Sequence, residues 1–293
     1  MRIVLATCKQ LPEPDPDEAP LLDALRARGA DACSLAWDDP DSDFASADLV
    51  LLRATWNYAQ QPARFQAWVD AVGQHTALWN PPAIVRWNLH KRYLLELGAR
   101  GVPHVPTELV MRGRTVSLRV IRERRGFGAV VVKPAIGAGS SGARLFAASD
   151  TQEAEEHLAN LSAQGDVLVQ PYLPAVEARG ERSLIWIDGE LTHAMRKSPR
   201  FSGGVEAVER VDDVSAEERA LASAALAAVS GPLFYARVDT IAGDDGQPLV
   251  QCFRGRRHAC IEAPAGVAGR SVHRGVVGAA GDLGNRMRDV EQR

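Results

Sequence analysis

One stretch of the sequence is most suggestive of chemistry. It is a valine-rich strand that ends in a lysine and leads into a glycine- and serine-rich loop. Lys133 ends this strand, where its ammonium can reach a phosphate. The small residues that follow have the spacing GxGxxG and are Gly137, Gly139, Ser140, Ser141 and Gly142. A dinucleotide-binding loop of this pattern opens a helix, but residues 143–146 read as a second strand. The loop is therefore predicted to be a flap over phosphates between antiparallel strands. A flexible hairpin without a ligand is the alternative.

Charged side chains in the predicted strands and in one predicted helix extend this chemistry. They are Lys91, Glu181, Arg182, Lys197, Arg237 and Asp239. Only four of the 34 basic residues are lysines, so each lysine is a candidate place for a compact point charge. Drift of the composition is the alternative. Arg237 and Asp239 share one face of a strand because they are two residues apart, and Asp239 could hold a magnesium ion. Alternatively, Arg237 and Asp239 pair only with each other, and Lys91 is a solvated helix residue.

A predicted hinge follows the apolar strand at residues 167–170. Its residues are Gln170, Tyr172 and Leu173, with a proline between the first two. Free backbone groups at such a hinge could pair with the edge of an adenine. A hydrogen-bonded core amide at Gln170 is the alternative.

The first 80 residues alternate strands with helices, which predicts a parallel sheet with covering helices. Strands are expected at 2–7, 32–37 and 49–53, and helices at 21–28 and 64–72, the second ending near Gly73. Ligands of such sheets bind beyond the carboxyl ends of the strands. Two loops, at residues 8–18 and 54–58, are therefore candidate ligand loops.

The pattern changes beyond residue 82 to helices and antiparallel hairpins. Helices over 89–100, 151–164 and 216–229 are predicted to be capped by Asn88, by Asp150 with Glu153 as a capping-box acid, and by Ser215. Asp188-Gly189 predicts a two-residue turn between strands at 181–187 and 190–196. Further strands are expected at 129–132, 167–170, 233–241 and 248–253.

Composition excludes several classes of protein. The chain has 293 residues, 46% of them hydrophobic, which is enough for a core and argues against global disorder. With 34 basic and 37 acidic residues there is no excess of positive charge for wholesale nucleic-acid binding. No apolar run approaches a membrane span, and the amino terminus reads as a strand rather than a signal peptide. Four cysteines without CxxC spacing indicate reduced thiols, so a cytoplasmic protein is expected. A homo-oligomer is compatible with this composition.

The order of these motifs resembles the ATP-grasp superfamily. In chain order they are a lysine helix, VVVKP, the glycine/serine flap, VQPYL, a GERSL…IDGE hairpin and FYARVD, over about residues 80–250. The resemblance implies an α/β and α+β fold in which a Rossmann-like domain precedes a two-lobed ATP-grasp unit. The domains implied are 1–82, the substrate domain; 83–165, the lobe with the flap; and 166–293, the lobe with the metal site.

The resemblance also implies a role for each candidate residue, in an ATP-dependent ligase that activates a carboxylate as an acyl phosphate. The residues expected to bind ATP are Lys91, Lys133, Gly137, Gly139, Ser140, Ser141, Gly142, Gln170, Tyr172, Leu173 and Glu181. The groups expected to hold the carboxylate or acyl phosphate are Arg237, Lys197 and Arg182. The amino-acid substrate is expected to contact Arg53, Thr55, Trp56, Asn57 and Tyr58. Magnesium would be bound by Asp239 and Glu262.

Within the superfamily, three strings resemble the actinobacterial cyclo-ligases that convert O-ureido-D-serine to D-cycloserine, an antibiotic. They are LRATWNY at 52–58, WNPP at 79–82 and RWNLHKRY at 86–93. The resemblance implies that the nucleophile is the ureido nitrogen of the substrate itself, with carbon dioxide and ammonia lost. An intermolecular ligase that joins a carboxylate to a separate amine, as in peptide formation, is the alternative.

One departure from the superfamily pattern concerns the metal. The strand after Asp239 usually carries a Glu-x-Asn or Glu-x-Glu pair, but residues 249–254 read LVQCFR, and the first carboxylate beyond them is Glu262. Either Glu262 loops back, or metal binding is weakened, or the arginine-rich tail from residue 252 is translated out of frame. A catalytically impaired ATP-binding scaffold is therefore a further alternative, and a nucleic-acid role for the tail is a distant one.

Overall fold

The computed structural model describes residues 1–197 and 208–255, and its first unit is the predicted parallel sheet. The strands of this sheet, in the spatial order β2-β1-β3-β4, are β1 Arg2–Thr7, β2 Asp31–Ala36, β3 Leu49–Ala54 and β4 Ala77–Trp79. Helices α1 (Glu18–Arg26) and α2 (Pro62–His75) cover it, and a short 3-10 turn, Trp56–Ala59, follows β3. Every residue of β3 is buried, as expected for a central strand covered on both faces.

Helix α2 was predicted to end near Gly73 and ends two residues later, at His75. Gly73 is needed for packing instead. A Cβ atom at this position would lie 2.3 Å from Cγ of Pro82, the first residue of the next helix, α3 (Pro82–Leu89). The glycine therefore permits two helices to pack closely and does not terminate one.

The segment after α3 differs from the single helix predicted over 89–100. The chain leaves α3 at Leu89 and re-enters a helix only in α4 (Tyr93–Ala99), so Lys91 lies in the connection between them. Asn88 is not a helix cap. Its buried side chain donates to the carbonyl of Phe253 and accepts from the amide of Gly255, so it fastens α3 to a strand 165 residues away.

The second sheet is antiparallel and holds the predicted flap. In the order β5-β8-β6-β7, its strands are β5 Glu108–Val110, β6 Val130–Pro134, β7 Arg144–Phe146 and β8 Val167–Pro171, with helices α5 Leu118–Arg125 and α6 Thr151–Gln164. The pairing of β6 with β7 confirms that the glycine/serine loop joins antiparallel strands. The domain division at 165/166 stays a prediction. A division after Pro171 would keep β8 with the strands it pairs with.

The third sheet is also antiparallel, with the order β11-β10-β9-β12-β13. Its strands are β9 Glu181–Ile187, β10 Glu190–Lys197, β11 Val208–Val211, β12 Tyr235–Ala242 and β13 Pro248–Arg254, with helices α7 Ala175–Arg179 and α8 Ala216–Ala227. The Asp188-Gly189 turn and the strands on either side of it are confirmed. The architecture therefore agrees with the predicted α/β domain followed by two α+β lobes.

Of the predicted helix caps, only the one at Ser215 is confirmed. Its hydroxyl accepts from the amide of Glu218, whose carboxylate accepts from the Ser215 amide. The capping box predicted at Asp150 is wrong. Asp150 accepts from the amide of Ala147 instead, and the intended capping acid, Glu153, forms an ion pair with Arg144.

The third sheet packs against the first domain over part of one face. Ile185, Ile187, Met195 and Tyr235 lie in one apolar cluster with strand β1 and helix α1 of that domain. No helix within 1–197 and 208–255 is long and apolar enough to cross a membrane. Three of the four cysteines are free thiols, and Cys260 lies outside the described residues.

Candidate active site

Charged side chains gather on the part of the third sheet's face that the first domain leaves uncovered. Strand register places them: Ser183 lies opposite Asp239, Glu181 opposite Lys197, and Arg237 opposite Arg254. Successive residues of a strand point to opposite faces. Side chains at these alternate positions of four neighbouring strands therefore project from a single face.

Asp239 is the centre of this cluster. Its carboxylate accepts a hydrogen bond from the Ser183 hydroxyl at 2.7 Å and one from an Arg237 terminal nitrogen at 2.6 Å. The Nε atom of Arg237 also lies 2.6 Å from the carboxylate, in an ion-pair contact without hydrogen-bond geometry. Arg254 approaches the same carboxylate at 3.4 Å. Burial opposes ionisation, but the charges of Arg237, Lys197 and Arg254 outweigh it and hold the pKa of Asp239 well below its usual range.

The other members of the cluster have perturbed ionisation for different reasons. Burial lowers the pKa of Lys197, and the neighbouring charge of Arg237 lowers it further. Burial together with the charge of Asp239 raises the pKa of Glu181. Burial also lowers the pKa of Lys133, which reaches toward Glu181 and Cys252 from strand β6 of the second sheet.

The cluster, defined as Lys133, Glu181, Lys197, Arg237, Asp239 and Arg254, thus contains four basic groups and two carboxylates. An excess of positive charge among partly desolvated side chains favours an anion of two or more charges. A triphosphate has this chemistry, and its binding would restore the charge balance that the protein leaves open.

The flap has backbone geometry suited to the same ligand. Gly139 and Ser140, at φ of 59° and 60°, both lie in the left-handed region, which a serine rarely adopts. Successive residues in such turns direct their amides into a shared concavity that binds anions. Lys91, in the connection between α3 and α4, contacts the start of this flap. Its ammonium donates to the carbonyl of Gly137 at 3.1 Å.

Most of the residues predicted to contact the amino acid have partners within the first domain. Arg53 is buried and donates to Asp15 and to Asp17, each at 2.7 Å, and these carboxylates raise its pKa although burial opposes that shift. Asn57 donates to Asp38 and accepts from the indole of Trp37. Both side chains hold the loops at 8–18 and 54–58 in place, and contact of Arg53 and Asn57 with a substrate stays a prediction.

The remaining residues of the loop at 54–58 differ in their burial and in their hydrogen-bond partners. Thr55 is fully buried, and its hydroxyl has no hydrogen-bond partner among the residues described. Trp56 is half-buried and packs on the aromatic core of the first domain. Tyr58 is fully buried and donates to the carbonyl of Gly137 at 2.8 Å, so it contacts the flap.

The predicted hinge offers fewer free groups than expected. The Gln170 side-chain amide donates to Thr107, which precedes strand β5 of the second sheet, so this side chain is turned into the core. The backbone amide of Tyr172 donates to Ala129 and is not free for an adenine. The Tyr172 hydroxyl donates to Glu177, and burial, reinforced by that carboxylate, raises its pKa to about 12. Leu173 packs in a small apolar cluster with Val105 and Ile241.

Arg182 does not belong with the other predicted catalytic residues. It projects from the opposite face of β9, where its Nε lies 2.6 Å from Glu218 at the start of α8 and a terminal nitrogen donates to the Asp213 carbonyl. The alternation of side chains along a strand explains this placement, because Arg182 is one residue from Glu181 and from Ser183.

The described residues do not form a metal site by themselves. They contain no group of three or more histidine, cysteine or acidic side chains that could hold an ion. Glu181 and Asp239 supply two carboxylates, the number that Mg²⁺ typically takes from a protein when phosphates provide further ligands. Arg237 would have to release part of Asp239 for this. Glu262 lies outside the described residues.

Several residues of the site were missed in the sequence. Ser183 and Arg254 contact Asp239, and Asp15 and Asp17 bind Arg53. The spacing of Ser183, two residues after Glu181, was a usable signal, because it places both on one face. Arg254 had none, since only the pairing of β12 with β13 brings it to the cluster.

Three comparisons with known proteins show which family the chain resembles in sequence and fold. A family model described as D-cycloserine synthetase DcsG, N-terminal domain, matches residues 3–80. Cycloserine biosynthesis protein DcsG of Streptomyces lavendulae is 36% identical over 256 residues, covering 80% of this chain and 84% of that protein.

Solved structures show the same fold. The crystal structure of D-cycloserine synthetase DcsG superimposes with a TM-score of 0.86 at 30% identity, over 95% of this chain and 99% of that one. An ATP complex of the D-alanine–D-alanine ligase from Bacillus anthracis has a TM-score of 0.69 at 16% identity, over 99% of each chain. At that identity the second likeness concerns the fold alone.

Proposed function

Since the chain belongs to the D-cycloserine synthetase family of ATP-grasp ligases, we propose that it cyclises O-ureido-D-serine to D-cycloserine. Family membership makes it an ATP-dependent ligase that forms a C–N bond. The specific substrate, and with it a role in antibiotic biosynthesis, is the part that is proposed. It is supported by the S. lavendulae relative, whose name refers to cycloserine biosynthesis.

The observation that carries the proposal is the surplus of positive charge in the buried cluster. Lys133 and the guanidinium of Arg237 reach the same buried cluster from two different lobes. ATP phosphates between the lobes would bind Lys133, Lys91 and the flap amides. The substrate carboxylate would lie beside Arg237 and Lys197, which neutralise the negative charge that develops as the γ-phosphoryl group is transferred.

The protein's part in the reaction is to position the reacting groups and to shield the acyl phosphate from water. Lys197 and Arg237 would orient the carboxylate and then the acyl phosphate, so that the ureido nitrogen of the same molecule can lose its proton and displace phosphate. Water would then cleave the carbamoyl group from the ring nitrogen, which releases carbon dioxide and ammonia and leaves D-cycloserine. The flap would exclude water, which otherwise hydrolyses the acyl phosphate. Glu181 and Asp239 would hold Mg²⁺, which supplies charge neutralisation on the β- and γ-phosphates when it is bound.

The test is ADP release by the whole chain with Mg²⁺ and ATP, with and without O-ureido-D-serine. ADP formation that requires this compound alone, and is not supported by D-alanine, supports the cyclo-ligase. ADP formation that requires a second amine contradicts it and indicates an intermolecular ligase. Nucleotide binding without any stimulated ADP release indicates the catalytically impaired scaffold.

Lys133→Met is expected to weaken ATP binding by about tenfold to a hundredfold. The substitution keeps most of the length of the side chain but removes a charge-assisted hydrogen bond, which contributes about 1.5–3 kcal/mol. Equilibrium titration with ATP measures the effect. Lys9→Met is the matched control, because the Lys9 ammonium pairs with Asp39 on the first domain. Equal affinity in the two variants would remove Lys133 from the phosphate site.

A further inference from the structure

A tyrosine of the first domain is hydrogen-bonded to the root of the flap. The Tyr58 hydroxyl donates to the carbonyl of Gly137 at 2.8 Å, across a sequence separation of 79 residues. The ammonium of Lys91 donates to the same carbonyl at 3.1 Å. One carbonyl at the start of the flap thus receives a donor from the candidate substrate loop and one from the connection between α3 and α4.

The residues on either side of Gly137 are also attached to the first domain. Ile136 and Ala138 pack against the apolar cluster of that domain, which contains Tyr58 itself and the half-buried Trp56. One residue earlier, the carbonyl of Ala135 accepts from the backbone amide of Lys91. The root of the flap therefore has an apolar contact and a specific hydrogen bond to the loop at 54–58.

The surroundings of Tyr58 fix the position of its hydroxyl. It is fully buried in the 3-10 turn Trp56–Ala59, and its ring contacts Phe65 of helix α2 at a centroid distance of 5.6 Å. A buried aromatic ring loses its freedom when the domain folds. Its hydroxyl is therefore presented to the flap without further ordering.

From this arrangement we propose that Tyr58 is a positioning residue that docks the root of the flap onto the substrate loop and couples the two. Nucleotide under the flap would then stabilise the loop at 54–58, and a ligand at that loop would stabilise the closed flap. Such coupling is reciprocal by thermodynamic necessity. The proposal rests on the proposed function in one respect only, that the flap covers phosphates.

The test is hydrogen exchange of the whole chain, followed in peptides that cover residues 135–146 and 52–61, with Tyr58→Phe. The phenyl ring keeps the packing and only the hydroxyl is lost. We expect about fivefold faster exchange at the flap root in the ligand-free variant, since one hydrogen bond has a net value of about 1 kcal/mol. With Mg²⁺ and ADP, protection at 52–61 should appear in the unaltered protein and be reduced several-fold in the variant.

Thr76→Val is the matched control, because it removes a hydroxyl of the same domain that donates to a backbone carbonyl outside the flap, that of Phe44. The proposal requires a change with Tyr58→Phe and none with Thr76→Val in the flap peptide. Equal flap exchange in all three proteins overturns it, and so does equal acceleration in both variants, which would indicate general loosening. Because the probe is ADP, the result does not depend on O-ureido-D-serine. Failure of that compound as substrate is therefore a separate outcome.

Discussion

Asp239→Asn is expected to lower ligase turnover by at least about a hundredfold while ATP still binds. The asparagine has nearly the same shape, but it cannot neutralise the two guanidinium groups that now surround the carboxylate. Arg237 would lose the partner that fixes its direction, and the cluster would lose one of its two carboxylates. The variant should therefore bind nucleotide within about threefold of the unaltered affinity, or more tightly, because the local charge becomes more positive.

Two measurements separate this expectation from simple unfolding. Isothermal titration with ADP and EDTA reports nucleotide affinity without a metal, and initial rates of ADP release report turnover. Asp245→Asn is the control. Asp245 is exposed in the turn that joins β12, the strand of Asp239, to β13, and it accepts only from the backbone of Gln247. Turnover of Asp239→Asn within threefold of the control would show that Asp239 has no part in catalysis.

Arg53→Met is expected to destabilise the protein by about 3–5 kcal/mol, because it leaves two carboxylates without their shared partner. Asp15 and Asp17 are at most about one-fifth exposed and are held by Arg53 at short distances. Urea unfolding, followed by the fluorescence of the tryptophans, measures the loss. The comparison variant Arg119→Met breaks an exposed ion pair with Glu123 and should cost less than about 1 kcal/mol.

A rescue experiment gives the Arg53 prediction its specificity. Combining Arg53→Met with Asp15→Asn and Asp17→Asn removes the unpaired charges and should recover a large part of the lost stability. If the triple variant is no more stable than Arg53→Met, the cost arises from lost packing of the arginine and not from the buried charges. Catalytic losses in Arg53→Met are expected to follow the loss of folded protein.

Local patterns in the sequence predicted most of the secondary structure. The apolar strand Arg2–Thr7, the Asp188-Gly189 turn and the Ser215 capping box agree with the structure. Each depends on interactions within a few residues, which is the range that a sequence pattern reports. The sequence also predicted that Lys133 ends a strand and that the flap joins this strand to an antiparallel neighbour.

Predictions were wrong where a residue that is typical of a helix end serves a contact with a remote part of the chain instead. Gly73 marks close packing against Pro82 and not a helix end, and Asn88 binds the backbone of strand β13 and does not cap a helix. Glycine and asparagine are good local signals, but either can also serve a contact made by a remote part of the chain. The sequence contains no record of which use applies.

By itself, then, the sequence determined the types of element, the flap and the inventory of charged groups. Only the tertiary structure decided which charges meet. Strand register and side-chain alternation sent Arg182 to one face of β9 and joined Ser183 with Asp239 on the other, while Arg53 was committed to Asp15 and Asp17. The reason is that a charge acts over a few ångströms of space, and in the folded chain those few ångströms separate residues that lie tens of positions apart.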